Sequence, residues 1–226
     1  MTLLLFDVDG TLLQVTGGVH QAVVQALSPL TDRPVSTDGV AFSGRTDPNI
    51  FRDVLRVNNV ADPDSVLDDV LRRYVDAAQK TITSKHVTLL PGVPRLLSLL
   101  EEREDVALGL VTGNVELIAQ HKLERAGLAA YFSIGAFGSD DADRRALPRL
   151  AARRAAAHIG RSFPPSQTVV VGDTRHDIQT AHETGARSVA VCTGRFTRTD
   201  LSVHTPDLLL ENFEEPERIV EQILES

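Results

Sequence analysis

The sequence predicts an α/β protein, a doubly wound parallel sheet with an all-helical domain inserted just after the first strand. Three observations carry this. Several short apolar runs are continuous rather than alternating, as strands buried on both faces are. Helical stretches separate them, which requires crossovers and parallel pairing. Between Gln14 and about Leu90 the alternation stops and the apolar residues recur at helical spacing throughout.

In chain order, strands are expected at residues 3–6, 106–111, 168–171, 188–192 and 207–210. Helices are expected at 115–126, stopped by Gly127, from about 144 to 158, and at 178–184, stopped by Gly185. In the insert, Val19, Val23, Ala26, Leu27 and Leu30 form one helical stripe. Val66, Leu67, Val70, Leu71 and Tyr74 form another, after a helix start at Asp62-Pro63. Thr16-Gly17-Gly18 and Pro91-Gly92 bracket the segment with linker chemistry. The division expected is a core of residues 1–14 and 92–226 and a helical domain of 15–91, lying over the carboxyl edge of the sheet.

Composition limits the function. With 42% hydrophobic and 24% charged residues in 226, the chain is of ordinary globular type. Lys plus Arg total 23 against 31 Asp plus Glu, a net charge of −8, and no basic face is visible, so nucleic acid is not an expected partner. No run of about 18 apolar residues offers a membrane span. Residues 3–6 are too short for a signal-peptide core, lack a basic leader and stop at Asp7, so a cytoplasmic protein is expected. The single Cys192 lies in an apolar run and is expected to be a buried, inert thiol.

Polar clusters follow three of the strands: Asp7-Val8-Asp9-Gly10-Thr11, Thr112-Gly113-Asn114, and Asp173-Thr174-Arg175-His176-Asp177. In open α/β sheets ligands bind beyond the carboxyl ends of the strands, so the three clusters are expected to converge on one pocket. Asp7, Asp9 and Asp173 brought together would repel, unless their acidity falls or a cation sits among them. Mg²⁺, which takes one or two carboxylates with water and substrate phosphate, suits this inventory. Zinc does not, since no His or Cys cluster has ligand spacing.

These motifs, with a basic residue opening a later helix, resemble the four motifs of the haloacid dehalogenase-like hydrolase superfamily, which has a Rossmann-like core. The insert resembles its type C1 cap, and the nearest branch is the phosphoglycolate phosphatase or β-phosphoglucomutase-like group. The resemblance implies that Asp7 is the nucleophile and Asp9 the general acid and base. It implies that Thr112 donates to a phosphoryl oxygen beside Gly113 and Asn114. Mg²⁺ is then held by the Asp7 carboxylate, the Asp9 carbonyl and Asp173, with Asp177 in support. The third motif departs from the usual Lys-Pro: here Asp143-Arg144-Arg145-Ala146-Leu147-Pro148 offers Arg144 as the phosphate cation, with Arg145 a competitor. Dehalogenases of the superfamily lack a carboxylate at the position of Asp9, so Asp9 implies phosphoryl transfer.

In Ser43-Gly44-Arg45-Thr46-Asp47, Arg45 is a candidate for substrate contact. The same segment also reads as an exposed loop with Asp47 capping a helix ahead of Pro48. The function expected is a Mg²⁺-dependent phosphatase of a small phosphorylated metabolite, phosphoglycolate-like or a sugar phosphate. A phosphomutase, a phospho-acceptor module and a binding-only protein are the alternatives. Oligomeric state is not decided by the sequence.

Overall fold

The first apolar run becomes β1 (Thr2–Phe6), an interior strand of a six-stranded sheet in the computed structural model, which describes residues 1–225. Leu3, Leu4, Leu5 and Phe6 are all fully buried, because alternate side chains enter opposite faces and helices cover both. The chain then runs through β2 (Leu13–Val15), α1 (Val19–Leu27), α2 (Asp47–Val57), α3 (Pro63–Thr81) and β3 (Val87–Leu89) before returning to the sheet. Next come α4 (Val93–Glu101), β4 (Val106–Thr112), α5 (Glu116–Ala126), β5 (Gly135–Phe137) and α6 (Leu147–Ile159). The last part is β6 (Thr168–Gly172), α7 (Arg175–Thr184), β7 (Arg187–Val191), α8 (Arg198–Ser202), β8 (Leu208–Leu210) and α9 (Pro216–Glu225).

The strand order is β5-β4-β1-β6-β7-β8 and every pairing is parallel. Leu4 and Phe6 share a core with Leu96, Leu100, Leu123 and Ile223 from α4, α5 and α9. Leu3 and Leu5 face the other way, onto Leu147, Ala151 and Ala155 of α6. The chain leaves β1 toward β4 and later comes back to its other side with β6, so the carboxyl end of β1 opens at a topological switch point.

Helices α1, α2 and α3 build a second apolar core from Val23, Leu27, Val54, Leu55, Val70 and Ala78. In it Phe51 and Tyr74 pack with ring centroids 4.7 Å apart. Residues 14–90 are not helical throughout, contrary to expectation. The two crossings pair with each other as the antiparallel ribbon β2–β3, with Leu13 opposite Leu89 and Val15 opposite Val87. Val15 and Val87 pack against both cores. Crossings only three residues long carry too little period-2 pattern to be read.

The same brevity hides β5, three residues that start on a glycine. The helix expected from about residue 144 begins at Leu147, after one 3₁₀ turn (Arg144–Ala146) capped by the Asp143 carboxylate. That expected from 178 starts at Arg175, which puts His176 in its first turn. Cys192 is half-buried rather than buried. Burial and then the Glu211 carboxylate hold its thiol above the ordinary range, so it stays protonated. Among the described residues, no helix is long and apolar enough to cross a membrane.

Leu4→Ala removes a fully buried side chain from the two-sided strand and should lower the unfolding free energy by about 2–5 kcal/mol in a urea titration. Leu117→Ala, at a residue 52% exposed on α5, should change it by less than about 0.5 kcal/mol.

Candidate active site

Asp7 is the first residue after β1, and its N–H donates to the Val171 carbonyl of β6 at 2.9 Å, which fixes it at the sheet edge. Asp173 follows β6 directly, and Asp177 lies in the first turn of α7. Each of the three offers a carboxylate oxygen within 4.8 Å of the others, and all are buried. Arg144 meets two of them: its Nη2 is 3.0 Å from Asp7 Oδ2 and 2.5 Å from Asp177 Oδ1. The other Asp177 oxygen accepts from the backbone N–H and hydroxyl of Thr174, at 3.0 and 2.7 Å, in a reciprocal helix cap. The two arginines left open by the sequence thus lie apart. Arg145 is exposed and pairs with Asp143 at 2.8 Å.

The electrostatics follow from this crowding. Burial, against the Arg144 guanidinium, pushes Asp7 up to about 6, and the Asp177 and Asp9 carboxylates add to the rise. Burial and then the carboxylates of Asp177 and Asp7 hold Asp173 well above the usual range. Burial alone would lower Arg144, but Asp177 and Asp7 outweigh it, so the guanidinium stays charged. One cation faces three buried carboxylates, all ligand atoms are hard oxygens, and the Arg144 Nε is a buried donor with no partner among the described residues. Such a cluster fits a small divalent cation with an anionic ligand. Gly194 belongs to this fit, since a Cβ there would sit 1.7 Å from Asp173 Oδ2.

Asp9 stands in a second network. Its Oδ2 accepts from Lys122 Nζ at 2.6 Å and from Asn114 Nδ2 at 2.8 Å, while Lys122 also donates to Asn114 Oδ1 at 2.6 Å. Asn114 Nδ2 donates in turn to Thr112 Oγ1 at 2.9 Å. Thr112, the last residue of β4, is fully buried, and accepting from Asn114 leaves its own proton free for a ligand. Lys122 was not singled out in the sequence: a lysine in the middle of a charged amphipathic helix reads as solvated. Its place on the second turn of α5, eight residues after the Asn114 of the loop that precedes the helix, is the signal that could have found it.

The helical insert docks on this loop. The Asp47 N–H donates to the Gly113 carbonyl at 2.7 Å, and Asp47 Oδ2 accepts from the Val115 N–H at 2.8 Å. Thr46, not Asp47, is the residue preceding α2, and the Asp47 carboxylate serves the N-terminus of α5 instead. Thr46 Oγ1 and Asn49 Nδ2 both donate to the Ala142 carbonyl at 2.8 Å. Gly113 permits this docking, because a Cβ there would lie 2.1 Å from the Arg45 carbonyl.

Asp7, Asp9, Thr112, Gly113, Asn114, Arg144 and Asp173 all line one cavity of about 320 Å³ between insert and sheet edge. Arg45 lines it too, but its guanidinium is held within the insert by Asp53 at 2.7 Å and by the Ala41 and Asn49 carbonyls.

The family profile described as haloacid dehalogenase-like hydrolase matches residues 4–191, from β1 through β7. The chain belongs to this family. As a haloacid dehalogenase-like hydrolase it is an enzyme, and its curated relatives bear phosphatase names. The phosphoglycolate phosphatase of Synechococcus elongatus is 35% identical over 124 residues, 54% of this chain and 55% of that protein. That of Salmonella typhimurium is 26% identical over 227 residues, covering 92% of this chain and 88% of the relative. A solved structure described as a predicted phosphoglycolate phosphatase, from Haemophilus somnus, shares the fold. It has a TM-score of 0.74 at 20% identity and covers 97% of this chain and 98% of its own.

Arg144→Ala leaves buried carboxylates without their cation. It should cost on the order of 3–5 kcal/mol in urea unfolding, partly restored by added magnesium. Arg145→Ala, at an exposed pair, should cost less than about 1 kcal/mol.

Proposed function

We propose that the chain is a Mg²⁺-dependent phosphatase that hydrolyses a small phosphorylated metabolite through an aspartyl-phosphate on Asp7, with residues 15–91 acting as its cap. The observation that carries this reading is the separation of two carboxylates on one cavity. Asp7 is buried against Arg144, while Asp9, two residues on, is tied through a single oxygen to Lys122 and Asn114. A nucleophile and a proton carrier need different surroundings, and these two have them. The cavity, at the small end of the roughly 300–1,000 Å³ usual for ligand pockets, suits a metabolite.

In this reading an Asp7 oxygen attacks phosphorus in line with the ester oxygen, the phosphorus–oxygen bond to the alcohol breaks, and Asp9 gives that oxygen its proton. Asp9 then takes a proton from water as it attacks the aspartyl-phosphate, which releases phosphate and restores Asp7. Lys122 and Asn114 hold Oδ2 of Asp9, which leaves Oδ1 for proton exchange with the reacting oxygen. The Thr112 hydroxyl and the loop at Gly113 and Asn114 bind phosphoryl oxygens, and Arg144 offsets their charge. Mg²⁺ would be held by the Asp7 carboxylate, the Asp9 carbonyl and Asp173 with Asp177 in support, and would supply Lewis-acid neutralisation of the phosphoryl group. Arg45 braces the cap side of the cavity. The cytoplasm is the expected compartment, and small phosphorylated molecules are the expected partners.

The test is phosphate release from a panel of small esters, with Mg²⁺ or chelator. Release should need the metal, and Asp7→Asn should lower kcat by at least about a thousandfold while leaving the thermal transition in place. Asp173→Ala should raise the Mg²⁺ concentration for half-activation. A metal dependence unchanged in Asp173→Ala, or turnover in Asp7→Asn, overturns the assignment. Isomerised ester without phosphate release would make the chain a mutase.

Lys122→Met should lower kcat by roughly tenfold to a hundredfold with little change in KM, a part of the ~10²–10⁴ that acid–base catalysis supplies. Steady-state kinetics on the best ester check this.

A further inference from the structure

The part of the cavity away from the carboxylate cluster has its own chemistry, and it names the class of leaving group. The inference rests on the phosphatase reading above. Val15, Val23, Ile50 and Phe51 give this part an apolar wall, and the polar groups that the insert helices add to it are Asp47 and Tyr74. Tyr74 is 3% exposed, and its hydroxyl has no hydrogen-bond partner among the described residues. Burial and then the carboxylates of Asp47 and Asp9 hold the phenol well above its ordinary range, so it remains a donor. The side chain is largely buried and lines the cavity, so an oxygen of a bound ligand would give the hydroxyl the partner it lacks. Asp47 uses Oδ2 on the Val115 N–H, which leaves Oδ1 as an acceptor on the same wall.

The charges matter as much. Four cationic side chains line the cavity, and three are already neutralised: Arg144 by Asp7 and Asp177, Lys122 by Asp9, and Arg45 by Asp53. The fourth, Arg195, is on the exposed core loop after β7, with its guanidinium 5.4 Å from the Phe196 ring centroid. A leaving group with a carboxylate would therefore meet an apolar wall and the Asp47 carboxylate, and its one unpaired cationic neighbour among the described lining residues would be Arg195, an exposed side chain on the core side where an ion pair gains little. A neutral leaving group with a hydroxyl would meet a donor in Tyr74, an acceptor in Asp47 and hydrocarbon between. We propose that this enzyme selects phosphate monoesters of small neutral polyols, read by Tyr74 and Asp47, over esters of hydroxy acids such as phosphoglycolate. A buried site built to bind a hydroxyl rejects a ligand that leaves its polar groups unpaired.

The matched pair 2-hydroxyethyl phosphate and phosphoglycolate differs only in a hydroxymethyl group in place of a carboxylate. Measured with Mg²⁺ beside glycerol phosphate, ethyl phosphate and para-nitrophenyl phosphate, kcat/KM for the two hydroxylated esters should exceed that for phosphoglycolate at least tenfold. Tyr74→Phe should bring the ratio of glycerol phosphate to ethyl phosphate toward one, chiefly through KM. Asp47→Asn should move the selectivity at least fivefold toward phosphoglycolate. Preference for phosphoglycolate, or ratios unchanged in both variants, overturns the proposal while para-nitrophenyl phosphate turnover keeps the phosphatase reading standing. No turnover of any ester, aryl phosphate included, overturns that reading and the selectivity with it.

Discussion

Three carboxylates within 4.8 Å of one another at the end of a buried sheet cannot all be charged without compensation, and much of the molecule is arranged around that constraint. Arg144 reaches them from a 3₁₀ turn set by the Asp143 cap, ahead of a helix that itself covers β1. Asp177 divides its two oxygens, one for Arg144 and one for the Thr174 cap, so the start of α7 and the charge balance are secured by the same side chain. Asp173 has Gly194 against its carboxylate and the Thr11 hydroxyl at 3.3 Å. Arg145 shows the contrast: the neighbouring cation, on the same turn, meets water.

A second balance lies beside the first. Asp9, Lys122, Asn114 and Thr112 are joined by short hydrogen bonds that tie the loop after β1 to the loop after β4. Asp47 brings the insert into the same neighbourhood by placing its carboxylate on the N-terminal N–H of Val115, where an anion is stabilised by the helix. Burial pushes Asp47 up to about 6, offset in part by Lys122, so the lysine acts on a carboxylate from each side of the cavity. Insert and core therefore meet through charge as well as through apolar packing.

The parallel strands with four or more consecutive apolar residues were legible in the sequence, since burial on both faces leaves an unbroken run. The polar residues that follow them were legible for the same reason: Asp7, Thr112 and Asp173 each interrupt such a run. What escaped was set by contacts distant in the chain. β2 and β3 are three residues each and exist because they pair across 70 residues or more. Lys122 has the local pattern of a surface lysine, and only the fold puts Asp9, 113 residues away, beside it. Asp47 reads locally as a helix cap, yet the N–H it serves belongs to another helix. Arg144 and Arg145 are equivalent in a string of letters and differ only in which way a turn points them.

The β2–β3 ribbon also bears on the order in which the chain assembles. β1 pairs with β4, Leu4 opposite Leu108, so the first contact of the sheet spans about a hundred residues of chain. Closing so long a loop is slow when the intervening chain is unstructured, since the entropy of closure is lost before any strand pairing is gained. The insert carries a core of its own, and its entry and exit strands lie side by side, Val15 against Val87. Once those helices collapse and the ribbon zips, the effective distance from β1 to α4 falls to a few residues. The segment that lines the cavity from the insert side thereby also shortens the path of chain between the two halves of the sheet.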